Sequence, residues 1–349
     1  MPVGHVYISR DLGPTPMEKL RASGRALVVH PDRDLPPARA PFLEAVRGAA
    51  AVVSFLTEKI DEEFFEHAGP QLEVVSAVSV GTDNIDLDAA GRRGVIVTNT
   101  PDVLTDATAD LAFALLLAVN RRVVEADAFL RRGESWAWGP RLFLGRDLAG
   151  EVLGIVGYGR IGAAMARRAR GFGMRVIALG SSASARDGEV ERMPLGQLLA
   201  TVDVLSLHAP LNSRTYHLLG PEQFAAMKPG AVVINTARGP LINESALVDA
   251  LRTGRLRGAG LDVFEHEPRI HPGLLNLANV VLTPHIGSAG EQTRTRMAMM
   301  AIENSLAVLE GRPPAHPVPE NSPDGPSRTA ASLGPRGVDA AAKEIFDGK

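Results

Sequence analysis

Short apolar runs rich in β-branched residues alternate with helical patterns along most of the chain. Five such runs lie within residues 1–100, and six more lie between Glu151 and His285. Continuous apolar runs of this length are typical of strands buried in a parallel sheet, and strands that alternate with helices indicate right-handed βαβ crossovers. Eleven strands are many for one such sheet. We therefore predict an α/β protein with two doubly wound parallel-sheet domains.

Two longer apolar helical segments indicate how these domains are arranged along the chain. Residues 105–122 connect the two groups of strands, and residues 291–309 form a helical pattern that no strand follows. A helix in the second position can return to the first domain. We predict a discontinuous, flavodoxin-like substrate-binding domain and a Rossmann dinucleotide-binding domain. The predicted bounds are 1–100 plus 288–318 for the first domain and 101–287 for the second.

The chain after Pro313 is rich in Pro, Gly, Ser and Ala and has few large apolar residues. Such a segment buries too little apolar surface to offset the entropy lost on ordering. Residues 319–349 are therefore predicted to be a disordered tail.

Composition and charge narrow the classes of function. The formal net charge is -3 with 22% charged residues, which does not indicate a nucleic-acid surface. The chain has no cysteine, which excludes disulfides, thiolate catalysis and Cys-ligated metals, and no cluster of metal ligands stands out. No signal peptide is evident, and the longest apolar stretch, LAFALLLAV, is too short to span a bilayer. We expect a cytoplasmic protein without a membrane partner.

The segment VLGIVGYGRIGAAMARRARG contains a G-x-G-x-x-G pattern formed by Gly157, Gly159 and Gly162. The pattern alone is a weak signal, but here it follows an apolar strand and begins a helix, which is the context of a dinucleotide-binding loop. The first glycine permits the tight turn, the second lets the pyrophosphate approach the backbone, and the third lets the helix pack against the strand. A purely structural turn is the alternative.

The next predicted strand, MRVIAL, should end beside the adenosine ribose. An acidic residue there would bind the ribose hydroxyls and select NAD(H). The chain instead has Gly180, Ser181 and Ser182, and Arg186 follows shortly afterwards. These residues favour NADP(H), while NAD(H) remains possible.

Three polar residues that suit keto-acid reduction follow predicted strands in the second domain: Arg238, Glu267 and His285. The carboxyl ends of parallel strands lie at one edge of a sheet, so these side chains can converge. A histidine can donate a proton to a carbonyl oxygen, a carboxylate can orient its ring, and an arginine can bind a substrate carboxylate. Spacing alone leaves Glu265 and His266 as rivals. In the first domain, Leu56 ends a strand and is predicted to form an apolar wall of the substrate pocket.

Five separated segments resemble the D-isomer-specific 2-hydroxyacid dehydrogenases. They are SVGTDNIDLDAAGRRGVIVTNTPDVLTDATADLAFALLLA, GIVGYGRIG, INTARGPLINESALVDAL, GAGLDVFEHEP and LTPHIGSA. Their order extends the resemblance over about residues 1–318. Within the family, the segments VLTDATADLAFALLLAVNRR and LFLGRDLAG most resemble glyoxylate/hydroxypyruvate reductases.

The resemblance implies roles for individual residues. It implies that Arg238, Glu267 and His285 are catalytic, which favours Glu267 over Glu265, and that Val80 and Gly81 bind the substrate carboxylate through their amides. The implied cofactor contacts, which add to those of the glycine loop, are Thr108, Arg160, Ile161, Gly180, Ser181, Ser182, Pro210, Thr236, Ala237, Asp262, His285 and Gly287.

The resemblance also implies a homodimer. In the family the region that contains Trp136 and Trp138 forms the dimer interface, where Trp138 either packs or reaches the neighbour's substrate site. Two features depart from the family: Ser181 stands where NADPH-dependent glyoxylate reductases often carry arginine, and the segment after Pro319 matches nothing familiar.

Other functions fit the same residues. Another substrate of the family, such as D-3-phosphoglycerate, D-lactate or phosphite, is one alternative. A non-enzymatic NAD(H) sensor like the family's corepressors is a second, because those proteins retain the same three polar residues. A plain Rossmann binding protein is a third.

Overall fold

The structure is a computed structural model that describes residues 4–32, 35–180 and 190–319. The chain divides into two compact units. The first runs through Leu104 and resumes at Ala289, and the second runs from Thr105 to Ser288. The predicted disordered tail lies outside the described residues except for Pro319.

The first unit contains a five-stranded, wholly parallel sheet with strand order β2-β1-β3-β4-β5. This is the flavodoxin-like order. The strands are β1 (His5–Ile8), β2 (Leu27–Val29), β3 (Ala49–Ser54), β4 (Val74–Ala77) and β5 (Ile96–Thr98). The helices are α1 (Pro14–Ala22), α2 (Arg39–Ala45), α3 (Glu62–Ala68), α4 (Leu87–Arg92) and, from the end of the chain, α12 (Glu291–Leu309).

Apolar clusters cover both faces of this sheet. One contains Phe42, Phe64 and other residues of α2, α3 and α4, and the other contains α1 and α12. Met297 and Ile302 of α12 belong to the same buried cluster as Val6 of β1. Helix α12 therefore completes the core of the first unit, although it lies far from β1 in sequence.

The second unit contains a seven-stranded parallel sheet with order β12-β11-β10-β9-β6-β7-β8. The strands are β6 (Val152–Val156), β7 (Arg175–Leu179), β8 (Glu191–Met193), β9 (Val204–Leu207), β10 (Ala231–Asn235), β11 (Leu256–Leu261) and β12 (Val280–Leu282). The helices are α5 (Thr105–Asn120), α6 (Val123–Arg131), α7 (Arg160–Gly171), α8 (Leu195–Thr201), α9 (Pro221–Ala226), α10 (Glu244–Arg252) and α11 (Pro272–Leu275). The strand order reverses between β6 and β9, as in a Rossmann sheet, where the dinucleotide binds at the reversal. The predicted fold class is confirmed.

Two details of the sequence prediction for this unit were wrong. The sheet has seven strands rather than six, because β8 is a short edge strand whose Glu-Arg-Met sequence carries no apolar pattern. The connector helix ends at Asn120 rather than at Arg122, since the Asn120 carbonyl accepts the Arg146 amide and Arg122 adopts a left-handed backbone conformation.

Neither a membrane span nor a metal site was found in the described parts of the chain. No helix there is both long and apolar enough to cross a bilayer. The same residues include no group of three or more His, Asp or Glu side chains placed to hold a metal ion.

Candidate active site

The glycine loop after β6 forms a cradle at the sheet reversal. Gly157 has φ 93°, and a Cβ there would lie 2.5 Å from the Ala209 nitrogen in the loop after β9. A Cβ on Gly162 would lie 2.3 Å from the Gly157 oxygen, whereas one on Gly159 would meet nothing within 4 Å. The first and third glycines therefore allow close packing, and the second borders open space.

The amino terminus of α7 lies at this open space. Gly159 is its N-cap and provides no side-chain cap, and the first turn contains no acidic residue. The first N–H groups of a helix lack intrahelical partners and attract anions. The loop, which continues into Arg160 and Ile161, thus fits a pyrophosphate.

His208 lies in the loop that packs against Gly157. Its Nε2 atom is 2.9 Å from the Ser206 hydroxyl, and burial lowers the pKa of His208 from 6.5 to about 4. Between these values the unfolded chain takes up a proton that the folded chain does not, so this histidine destabilises the fold as the pH falls.

We expect His208→Gln to reduce the acid sensitivity of the second unit. The free energy of unfolding of the wild type should fall between pH 7 and pH 4 by up to about 3 kcal/mol more than that of the variant. Urea titrations at several pH values measure this difference. His67→Gln, at the end of α3 in the first unit, is the control. Equal pH slopes for the wild type and the His208 variant would contradict the assignment.

The ribose turn is described only in part. Gly180 follows β7, and its amide donates to the Met193 carbonyl at 3.0 Å. Ser181, Ser182 and Arg186 lie outside the described residues.

Other predicted cofactor contacts follow the carboxyl ends of β9 and β10 or lie on α5. Pro210 is exposed after β9. Thr236 and Ala237 follow β10, and the buried Thr236 hydroxyl has no hydrogen-bond partner in the described structure. Thr108 is buried in α5 and lies close to Gly287: a Cβ added to Gly287 would be 3.4 Å from the methyl carbon of Thr108. A buried hydroxyl without a described partner at the carboxyl end of β10 fits a site for a polar ligand.

Asp262 holds the loop that contains His285. One carboxylate oxygen accepts the Thr283 hydroxyl at 2.6 Å and the Ile286 amide at 2.8 Å, and the other accepts the Gly287 amide at 2.7 Å. Burial raises the pKa of Asp262 above its ordinary value despite these hydrogen bonds. The His285 amide donates to the Asp262 carbonyl at 2.8 Å. Asp262 therefore fixes the conformation of the loop that carries His285. Its predicted contact with the nicotinamide stays a prediction.

The structure brings His285 and Glu267 together. His285 Nδ1 lies 2.9 Å from Glu267 Oε2, and the other Glu267 oxygen accepts the Phe264 amide at 3.0 Å. Burial opposes ionisation of Glu267, yet the hydrogen bond with His285 helps to keep its pKa below the ordinary value. Both side chains remain partly accessible, at 26% and 29%. The pair is a histidine whose ring is oriented by a carboxylate.

Arg238 follows β10 and is the third predicted catalytic residue. Asn235 holds the Arg238 carbonyl at 2.9 Å, and the charge of Arg238 also lowers the pKa of Glu267. Gly239 comes next, where a Cβ would lie 1.9 Å from the carbonyl carbon of Phe264. The segments that carry Arg238 and Glu267 are therefore in direct backbone contact.

Glu265, the rival of Glu267, pairs with a different histidine. Its Oε1 lies 2.6 Å from His217 Nε2, and its Oε2 accepts the Glu244 amide at 3.2 Å. Glu244 in turn accepts the Glu265 amide at 2.8 Å. Sequence reasoning missed His217, which has no pattern of its own. Glu265 thus ties together the loops that follow β9, β10 and β11.

In the first unit, the turn with the predicted substrate contacts follows β4. The Ser79 hydroxyl donates to the Gly81 carbonyl at 2.7 Å, and the Asn99 amide group donates to the Val80 carbonyl at 2.8 Å. The Thr100 amide donates to the Ser79 carbonyl at 2.8 Å. These bonds fix the conformation of the turn.

The neighbouring loop after β3 is held by a buried carboxylate that sequence reasoning also missed. Glu58 is 3% exposed and accepts the Ser9 hydroxyl, the Phe55 amide and the Arg10 guanidinium at 2.8, 2.6 and 2.8 Å. Leu56 lies in this loop and is 39% exposed. The loop therefore presents an apolar side chain on a fixed backbone. Trp138 belongs to the second unit, where it is 83% exposed.

The sequence of the chain is similar to that of known dehydrogenases and reductases. Residues 113–287 match the family model described as D-isomer specific 2-hydroxyacid dehydrogenase, NAD binding domain. The chain is 49% identical to the glyoxylate reductase of Thermococcus litoralis over 286 residues, which cover 80% of this chain and 86% of that protein.

Solved structures extend the similarity to the fold. The TT0316 protein of Thermus thermophilus has a TM-score of 0.86 and 49% identity, over 90% of this chain and 99% of that one. The NADPH-dependent glyoxylate/hydroxypyruvate reductase of Sinorhizobium meliloti, in complex with NADP and malonate, has a TM-score of 0.78 and 32% identity, over 92% and 98% of the two chains.

Proposed function

Because this chain belongs to the D-isomer specific 2-hydroxyacid dehydrogenase family and is a pyridine-nucleotide-dependent enzyme, we propose that it reduces glyoxylate or a similarly small 2-keto acid with NADPH. The observation that carries the proposal is the His285–Glu267 pair, 2.9 Å apart, on the same sheet as the glycine loop. The relatives named glyoxylate reductase support the choice of substrate.

The residues present fit a dinucleotide. The glycine loop and the start of α7 would hold the pyrophosphate, and Thr236, Ala237 and Asp262 would hold the nicotinamide end. When bound there, a reduced nicotinamide would supply the hydride for reduction of the substrate carbonyl. NADP(H) rather than NAD(H) is proposed because the sequence Gly180-Ser181-Ser182 replaces the acid that would bind a free ribose.

The side chains of the protein perform the remaining steps of the proposed reaction. The guanidinium of Arg238 is proposed to bind the substrate carboxylate with paired N–H donors. Val80 and Gly81 of the first unit stay predicted substrate contacts through their backbone amides. His285 donates a proton to the carbonyl oxygen as the hydride arrives at carbon, and the product is the 2-hydroxy acid. Glu267 orients the ring through its hydrogen bond with Nδ1.

A panel of 2-keto acids, assayed with NADPH and NADH in parallel, tests the proposal. Glyoxylate and hydroxypyruvate should have the highest kcat/KM, and each should be reduced faster with NADPH. A higher kcat/KM for pyruvate or phosphohydroxypyruvate would contradict the substrate, and a preference for NADH would contradict the cofactor. No turnover with any keto acid would contradict the reaction.

We propose that the protein is a cytoplasmic homodimer. Helix α6 has no buried residue within the chain, and α6 and the segment after it expose seven large apolar side chains. These are Val123, Val124, Leu130, Trp136, Trp138, Leu142 and Leu144. Monomeric proteins rarely expose so many apolar residues in one segment. A second copy of this chain is the proposed partner of this surface.

The apolar surface should control the mass of the particle in solution. We expect light scattering to give twice the chain mass of 37.0 kDa for the wild type and a single chain mass for Val124→Glu combined with Leu130→Glu. Leu275→Glu, at a residue equally exposed but on α11, is the control and should remain dimeric. A monomeric wild type, or a dimeric double variant, would contradict the proposal.

A further inference from the structure

We propose that Arg192 binds the adenosine 2′-phosphate of NADP(H) and so determines the choice of cofactor. The inference rests on the proposed use of NADPH. Arg192 lies on β8, the edge strand that the sequence pattern did not predict, and it is paired in register with Ala178 of β7. No sequence pattern marked it as a site residue.

The Arg192 side chain connects the two segments that hold the adenosine half of a dinucleotide in a Rossmann sheet. Its Nη1 lies 3.5 Å from the carbonyl oxygen of Leu179, the last residue of β7. Its guanidinium carbon lies 5.3 Å from the ring centroid of Tyr158, between the first two glycines of the glycine loop. The positive charge is therefore placed between the glycine loop and the end of β7.

The hydrogen bonds of this guanidinium are incomplete among the described residues. Its Nε is buried and has no hydrogen-bond partner there. Its hydrogen bond to the Leu179 carbonyl is long. The adjacent acid, Glu191, pairs with Arg175 instead, at 2.5 Å. The guanidinium therefore retains N–H donors that no described protein group satisfies.

A phosphate dianion fits these donors. The guanidinium carbon lies over the Tyr158 ring, and the N–H groups of a guanidinium lie in its own plane, where they can form paired bonds to phosphate oxygens. The 2′-hydroxyl that NAD(H) carries at this position has no negative charge to pair with the guanidinium. Arg192 should therefore contribute to the binding of NADP(H) and not to that of NAD(H).

Binding of cofactor fragments tests the assignment without turnover. By calorimetry, Arg192→Gln should raise the Kd for 2′,5′-ADP by at least about tenfold and leave the Kd for 5′-AMP within about twofold. The ratio of kcat/KM for NADPH to that for NADH should fall by a similar factor. Arg175→Gln, on the neighbouring strand and paired with Glu191, is the control and should change neither ligand's binding. Arg192→Lys keeps the charge and should retain part of the selectivity.

The outcomes separate this inference from the proposed reaction. Equal weakening of both fragments, or no change in either, would overturn the role of Arg192. If Arg192→Gln fails to fold, Arg192→Lys decides, since selectivity equal to that of the wild type would also overturn it. A wild type that binds 2′,5′-ADP through Arg192 but reduces no keto acid would overturn the proposed reaction alone.

Discussion

His285→Asn is expected to lower kcat for keto-acid reduction by about 10²- to 10⁴-fold, because the variant has no group to protonate the carbonyl oxygen. Asparagine is the suitable replacement because His285 has φ 52°, a left-handed conformation that Asn adopts more readily than Ala. The Asp262 bonds to the loop should therefore remain. Steady-state assays with glyoxylate measure the loss, and calorimetry with 2′,5′-ADP checks that the cofactor domain is intact.

The chain offers a matched control for this variant. His217 also has a positive φ, 48°, and pairs with a carboxylate, Glu265, only two residues before Glu267. His217→Asn makes the same chemical change in the same backbone conformation. We expect it to retain activity within about tenfold. If the two variants lose equal activity, or if His285→Asn turns over at a normal rate, His285 is not the proton donor.

Gly239→Ala is expected to have the second large effect. The new Cβ would lie 1.9 Å from the carbonyl carbon and oxygen of Phe264 and 2.4 Å from the Glu265 nitrogen. Backbone atoms cannot rotate away, so the segments that carry Arg238 and Glu267 must separate. Overpacking of this kind costs about 1–3 kcal/mol or more, and a displacement of about 1 Å in a catalytic group can cost 10²-fold in rate. We expect kcat/KM to fall by at least about 10²-fold and the melting temperature to fall with it.

Gly196→Ala is the control for added volume. Gly196 lies in α8, where a Cβ meets nothing within 4 Å, and alanine is the better helix former. This variant should match or exceed the wild type in melting temperature and keep full activity. Normal activity in Gly239→Ala would contradict the close contact between the two segments.

The sequence was sufficient for the features that depend on apolar periodicity and on ordered motifs. The long helix α12 spans the predicted residues 291–309, since its apolar face is continuous, and the two parallel sheets follow from apolar strands that alternate with helices. The glycine loop was recognisable because its pattern follows an apolar strand and begins a helix, and the close contacts at Gly157 and Gly162 agree with this. The three polar residues after strand ends could be proposed because a parallel sheet gathers such ends at one edge.

What the sequence did not predict depends on pairing between distant side chains. Glu265 and Glu267 could not be separated by spacing, and the structure places each beside a different histidine. Edge strand β8 has no apolar signal, so the position of Arg192 beside the end of β7 could not be predicted. Buried Glu58 in the first unit is stabilised by hydrogen bonds from the loop after β1 and from its own loop, and no local pattern reveals such a network.

Because α12 packs on the first sheet but lies near the end of the chain, the first unit cannot complete its core until the second unit has been synthesised. Residues through Leu104 leave the ribosome first, but the helix that covers Val6, Ile8 and Val53 is translated only after the whole second unit. The second unit is continuous in sequence and can close its core while the chain is still growing. Until then only α1 packs on that face of the first sheet, so the earliest part of the chain to be made is the last to complete its core.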